Sequence, residues 1–289
     1  MDMFGHPAPM TAPHKLRPAG RAAVVFLALL CLSGHVPGAA PPAMRPARVV
    51  LHINGIAGHL PLDDALLRGL RDGGVEAEFL IHDWTGADAG IPALKNGARH
   101  REQAGRIAEL ISGRLARNPQ ALLTITCHSG GAGLAVWALE RLPDDLQVED
   151  VFMFAPALSP AYDLSAALAH VRGRMLVFSS PYDSVILDVG TRLFGTIDGV
   201  KSVAAGLNGF VMPAGADAVL YRKLVPVPYK PRWLLEYGNA GSHICAMGPL
   251  FARHVVARLM LGETLEQIET GPASRPAIAA DPLPSFSKP

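Results

Sequence analysis

The segment Cys127-His128-Ser129-Gly130-Gly131 has the clearest capacity for chemistry in this sequence. A serine hydroxyl is a poor nucleophile until a base takes its proton. A sharp turn between a strand and a helix lifts the oxygen clear of the sheet and sets it at the positive end of the helix. Such a turn crowds the backbone, so the residues two before and two after the serine must be small. Gly131 meets that condition. Cys127 stands where the pattern Gly-x-Ser-x-Gly asks for glycine, and cysteine is also small. Ala132 and Gly133 would let the helix lie close to the sheet. A glycine-rich connection without a chemical role would look the same.

Other chemistries find little support. There is no His-Glu-x-x-His helix and no Cys-x-x-Cys pair, so no metal is expected. Gly55-Ile56-Ala57-Gly58 follows an apolar run but lacks both the Gly-Lys-Ser/Thr ending and the Gly-x-Gly-x-x-Gly spacing of phosphate loops. His82-Asp83 is too small a cluster for a metal, and Asp83 suits a turn cap. No cofactor is implied. A net charge of +1, without a run of Lys and Arg, gives no footprint for nucleic acid. Aromatic residues at 6% argue against a platform for stacking sugars or bases. The 49% hydrophobic content supports a large buried core.

The elements that would position Ser129 follow from alternating apolar runs and helical patterns, the signature of a parallel sheet with crossover helices. Strands are expected at 48–53, 76–81, 121–127, 150–154, 174–179 and 224–229. Helices are expected at 62–71, 100–116, 131–142 and 250–261. In the second of these, Ala104, Ile107, Ala108, Ile111 and Leu115 share one face. The stretch 82–96 reads as irregular, and 185–223 as a long apolar, glycine-rich insertion.

On these grounds the segment around Ser129 resembles the nucleophile elbow of the α/β-hydrolase superfamily, and the resemblance covers about residues 48–261. It implies an α/β fold: a three-layer α/β/α sandwich on a mostly parallel sheet, here without the family's first antiparallel strands or with weak ones. It also implies a chain order of serine, acid, histidine. Asp183, in Ser179-Ser180-Pro181-Tyr182-Asp183-Ser184-Val185 just past the fifth strand, is the expected acid, with Asp163 and Asp188 as competitors. His243, on the glycine-rich loop Gly238-Asn239-Ala240-Gly241-Ser242-His243 before the last helix, is the expected base. The family's oxyanion donors fall on the Gly130 amide and, in the loop Asn54-Gly55-Ile56-Ala57-Gly58, on the Ile56 amide, with Ala57 as the alternative. Asn54 stands where many members carry His. His128 adjoins the serine, but neighbouring side chains in a turn point apart, and His52 reads as a strand residue. The implied activity is hydrolysis of a small-molecule or lipid-like carboxylic ester. A thioester or amide substrate, or a hydrolase-fold binding protein without turnover, are the alternatives. The insertion is either a cap over an acyl site or extra helices packed on the core.

The ends read differently from the middle. Lys15, Arg17 and Arg21 precede an apolar run at 22–32 and then Gly38 and Ala40 at the small-residue spacing of a cleavage site. Residues 1–40 are expected to be a secretory signal or an N-terminal anchor, giving an exported, periplasmic or secreted protein with membrane association if the anchor is retained. Residues 44–264 would form the hydrolase domain, and 271–289, rich in Pro, Ala and Ser, a disordered tail. Cys127 and Cys245, each two residues from a candidate catalytic residue, read as small buried residues or as a disulfide beside the site.

Overall fold

The computed structural model describes residues 47–183 and 195–271. Six strands form one sheet: β1 (Arg48–Ile53), β2 (Glu78–His82), β3 (Leu122–His128), β4 (Val151–Phe154), β5 (Met175–Ser179) and β6 (Leu224–Pro228). Their order is β2-β1-β3-β4-β5-β6, and every pairing is parallel. Parallel neighbours need long crossovers, and helices supply them: α1 (Pro61–Asp72), α2 (Ile91–Lys95), α3 (Gly97–Arg117), α4 (Gly131–Leu139) and α5 (Ser165–Ala169) among them. No antiparallel strand occurs among the described residues.

Alternation along the strands sorts side chains onto two faces. Val49, Leu51, Ile53, Leu123, Ile125, Val151, Met153 and Val177 pack against the apolar stripes of α3 and α4. Val50, Phe152, Phe154, Leu176, Phe178 and Val227 pack against Leu66, Leu67 and Leu70 of α1 and against Phe251, Val255, Val256 and Leu259 of the C-terminal helix, 249–260. Helices therefore cover both faces, which makes a three-layer α/β/α sandwich. Each fully buried large apolar side chain contributes about 1.5–3 kcal/mol.

The second face also holds a polar chain. His52 of β1 donates Nε2–H to Asp63 of α1 (2.8 Å) and accepts from the Thr126 hydroxyl of β3 at Nδ1 (2.9 Å). The other Asp63 oxygen accepts from the Leu60 amide at 2.6 Å and caps the start of α1.

Several boundaries differ from the sequence expectation for local reasons. α3 starts three residues early because the Asn96 side chain accepts from the Arg99 amide and caps it. β2 starts two residues late because the Val75 amide still bonds back to Leu70. α4 ends at Leu139 rather than 142, and the C-terminal helix passes through a π turn at Ala252–Val256. The open edge of β6 reads Leu-Val-Pro-Val-Pro. Lys223 and Tyr229 bond to β5, through the Met175 amide and the Ser179 carbonyl, so odd positions face the sheet and Pro226 and Pro228 face outward.

Candidate active site

Ser129 follows β3 directly and sits at φ 51°. A non-glycine residue held in this region stores about 1–3 kcal/mol of strain. Three backbone bonds hold it: Ser129 N to the Phe154 carbonyl (2.9 Å), and the amides of Ala132 (3.1 Å) and Ala157 (3.0 Å) to the Ser129 carbonyl. A Cβ on Gly131 would lie 2.4 Å from the Asn54 carbonyl oxygen and 2.5 Å from that of Ile53. The demand for glycine two places after the serine is thus steric. Two places before it, Cys127 is still in β3 with its side chain in the core, so the departure from glycine costs the turn nothing. Burial pushes the Cys127 thiol far up, leaving it un-ionised. Cys127 and Cys245 are both free thiols, so the disulfide alternative does not hold.

The sheet grows outward in opposite senses from β1 and β3, and ligands in such sheets bind beyond the strand ends at that switch. The loop after β1 lies there. A Cβ on Gly130 would meet Ile56 Cγ2 at 2.7 Å, so the loop presses against the elbow. Among the described residues, the amides of Gly130, Ile56 and Ala57 have no backbone acceptor. The loop is braced from below. Trp84 Nε1 donates to the Asn54 carbonyl (2.8 Å), and Asn54 Nδ2 donates to Asp83 (3.3 Å) and the Gly55 carbonyl (3.1 Å). Asn54 Oδ1 is buried without a partner. Asp83 also accepts from the Thr85 amide and hydroxyl and from the His59 amide. Burial alone would raise its pKa, but these bonds outweigh it and hold the carboxyl below the usual range. Asp83 thus braces this loop, a larger role than the turn cap read from the sequence.

Asp183 and His243 come together. Asp183 follows β5, its Oδ2 is 2.7 Å from His243 Nδ1, and it is buried. Burial raises its pKa, and the His243 hydrogen bond only partly offsets this. His243 arrives on a loop entered from the helix Arg232–Tyr237 through Gly238. Buried Asn239 bonds back to Trp233 and accepts from the Gly241 amide. Gly241, at φ 74°, lies where a Cβ would strike Ser180 Oγ at 2.7 Å. Close contact between the acid loop and the histidine loop therefore requires glycine there. Among the described residues, the Ser129 hydroxyl makes no hydrogen bond to His243. Catalytic hydrogen bonds are often long before substrate binds.

The competitor Asp163 is engaged elsewhere: its Oδ1 accepts from the amide and hydroxyl of Ser165. Asp188 lies outside the described residues, as do 185–194 of the insertion, 1–40 and 272–289. The described part of the insertion holds Ile197, clamped by its amide to the Ala157 carbonyl (2.9 Å), and Asp198, bound to the Ser159 hydroxyl (2.5 Å). Ile197 Cδ1 would lie 3.2 Å from a Cβ on Gly130, so this segment covers the elbow. A cavity of about 480 Å³ opens behind it between α3 and α4, and Ser129 is not in its walls.

The residue missed by sequence reasoning is His128. It is buried, its Nε2 lies 3.1 Å from the His243 carbonyl, and the two rings are 4.8 Å apart. The contact spans 115 residues of sequence, and no local pattern announces it.

No protein-family model matches this chain, and no curated protein matches it. Among solved structures it is similar to a dienelactone hydrolase from Anabaena variabilis ATCC 29413, at 17% identity and TM-score 0.40, over 76% of this chain and 85% of that one. It is similar to the NocB thioesterase domain, at 14% identity and TM-score 0.40, over 76% and 96%. A cutinase-like protein from Cryptococcus sp. aligns at 15% identity and TM-score 0.36, over 78% and 100%.

Proposed function

We propose that this chain is a serine hydrolase acting on carboxylic esters, with Ser129 as nucleophile, His243 as base, Asp183 as its orienting acid, and the Gly130 and Ile56 amides as oxyanion donors. The observation that carries this reading is the buried 2.7 Å contact between Asp183, just after β5, and His243, whose ring lies 4.8 Å from that of His128, the residue before Ser129. With Nδ1–H donated to Asp183, the Nε2 lone pair of His243 is free to accept a proton. Ser129 Oγ attacks the ester carbon as His243 takes its proton, and the carbonyl oxygen becomes an oxyanion held by the two amides. Collapse expels the alcohol, which takes the proton from His243. Water then repeats the sequence on the acyl-enzyme, releasing the acid and restoring Ser129.

The test is reaction of the protein with a fluorophosphonate probe, with Ser129→Ala alongside, read by intact mass and peptide mapping. A single adduct on Ser129, absent from the variant, is expected and justifies a series of esters of increasing acyl length. No adduct on folded protein would overturn the hydrolase reading in favour of ligand binding without turnover.

A further inference from the structure

His128 is a buried titratable side chain beside Ser129 that the mechanism above leaves without a role. It is the residue immediately before Ser129 and the last of β3. Its ring lies against the backbone of the first loop, since a Cβ on Gly55 would come within 3.0 Å of His128 Nδ1. Its other nitrogen faces the carbonyl of His243. A carbonyl can only accept, so Nε2 must carry the proton and the tautomer is fixed.

We propose that His128 is a positioning residue for His243: as a neutral imidazole fixed to the strand that ends in the nucleophile, it donates Nε2–H to the backbone of the catalytic histidine and sets where that histidine stands relative to Ser129. This rests on the hydrolase reading for its consequence in catalysis. The geometry gives it a purpose that Asp183 cannot serve. Asp183 fixes the His243 ring from β5, but nothing in that contact refers to Ser129. His128 and Ser129 are consecutive, so a bond from His128 ties base and nucleophile to one rigid frame. Misplacement by about 1 Å can cost roughly 10²-fold in rate.

The groups facing His128 explain why it can stay neutral. Burial pushes it down to about 3, with His243 and His52 acting in the same sense, against the pull of the His243 carbonyl and of Asp63. A neutral ring 4.8 Å from His243 adds no like charge when that ring becomes an imidazolium. A charged one would oppose it.

Two variants separate the donor from the bulk. His128→Gln keeps an N–H at nearly the same reach, and His128→Phe keeps the packing and removes the donor. In ¹⁵N-histidine spectra of the full chain, His128 is expected to show a protonated Nε2 and an unprotonated Nδ1 at pH 5, where exposed imidazoles are charged. The downfield Nδ1–H proton of His243 is expected to persist in wild type and His128→Gln and to broaden away in His128→Phe. With an ester substrate, His128→Phe is expected to lose about tenfold or more in kcat with KM within about twofold, and His128→Gln to recover most of it. Titration of His128 alongside the exposed histidines overturns the proposal, as does an unchanged His243 resonance and rate in folded His128→Phe. Failure of wild type to react with the fluorophosphonate would instead sink the hydrolase reading, while the spectra would still decide what His128 does to His243.

Discussion

Gly131 has no room for a side chain, because two carbonyls of the neighbouring strand end stand within 2.5 Å of where its Cβ would be. Gly131→Ala is therefore expected to cost about 1–3 kcal/mol or more in chemical denaturation. Gly105→Ala in α3, where a Cβ meets nothing within 4 Å, is expected to stabilise by about 0.5–1 kcal/mol. Asp183→Asn should leave the fold intact but lower the rate of fluorophosphonate reaction by about 10³–10⁴-fold, since an amide can hold the wrong His243 tautomer. The carboxyl of Asp183 lies above the ordinary carboxylate range through burial, so it protonates earlier than an exposed Asp as pH falls. The labelling rate of wild type should drop accordingly on the acid side. At this scale the sequence was informative where chemistry is written in local turns. Ser129 lies between a strand and small residues, and the glycines before His243 mark a loop of close approach. Asp183 needed chain order as well as a turn. His128 could not be seen, because its meaning comes from a carbonyl 115 residues away.

Among the elements, the chain Asp63–His52–Thr126 joins α1, β1 and β3 beneath the site. It contains a hydroxyl, an imidazole and a carboxylate, as does the proposed catalytic set, but it is wholly enclosed and has no path for a substrate. Its consequence is stability. Thr126→Val leaves His52 Nδ1 buried without a partner and is expected to cost about 1–3 kcal/mol in urea unfolding. Burial alone would raise the Asp63 pKa, yet the bonds from His52 and the Leu60 amide outweigh it and the value falls below the ordinary one. The sign follows: stability from Asp63 is complete above the ordinary carboxylate pKa and is lost as pH falls through the lower folded value. Asp63→Asn should flatten that acid-side loss in a pH series of unfolding curves. Long elements were legible because burial imposes a period, as in the Ala104–Leu115 stripe of α3. Their ends were less so, since a cap such as Asn96 is decided by one hydrogen bond. Short helices such as Ser165–Ala169 and Arg232–Tyr237 have too few turns to show a period at all.

For the whole molecule, the six-stranded parallel sheet and its two helical layers agree with the sequence reading because continuous apolar runs are what strands buried on both faces require. The expectation of export rests on residues 1–40. Protein recovered from the producing cell is predicted to begin near Ala40 or Pro41 by N-terminal mass, and an intact N-terminus would favour an anchor instead. No described helix is long and apolar enough to cross a membrane. At the margin of the sheet, β6 turns its two prolines outward. A proline has no N–H, so this margin offers no donors at those places to a strand from another molecule. This side of the sheet is thereby a poor template for growth, and pairing of copies through β6 is hindered. Pro226→Val with Pro228→Val restores both donors in a β-favouring sequence. That variant should lose this protection and form extended assemblies detectable by sedimentation, at concentrations where the parent chain stays dispersed.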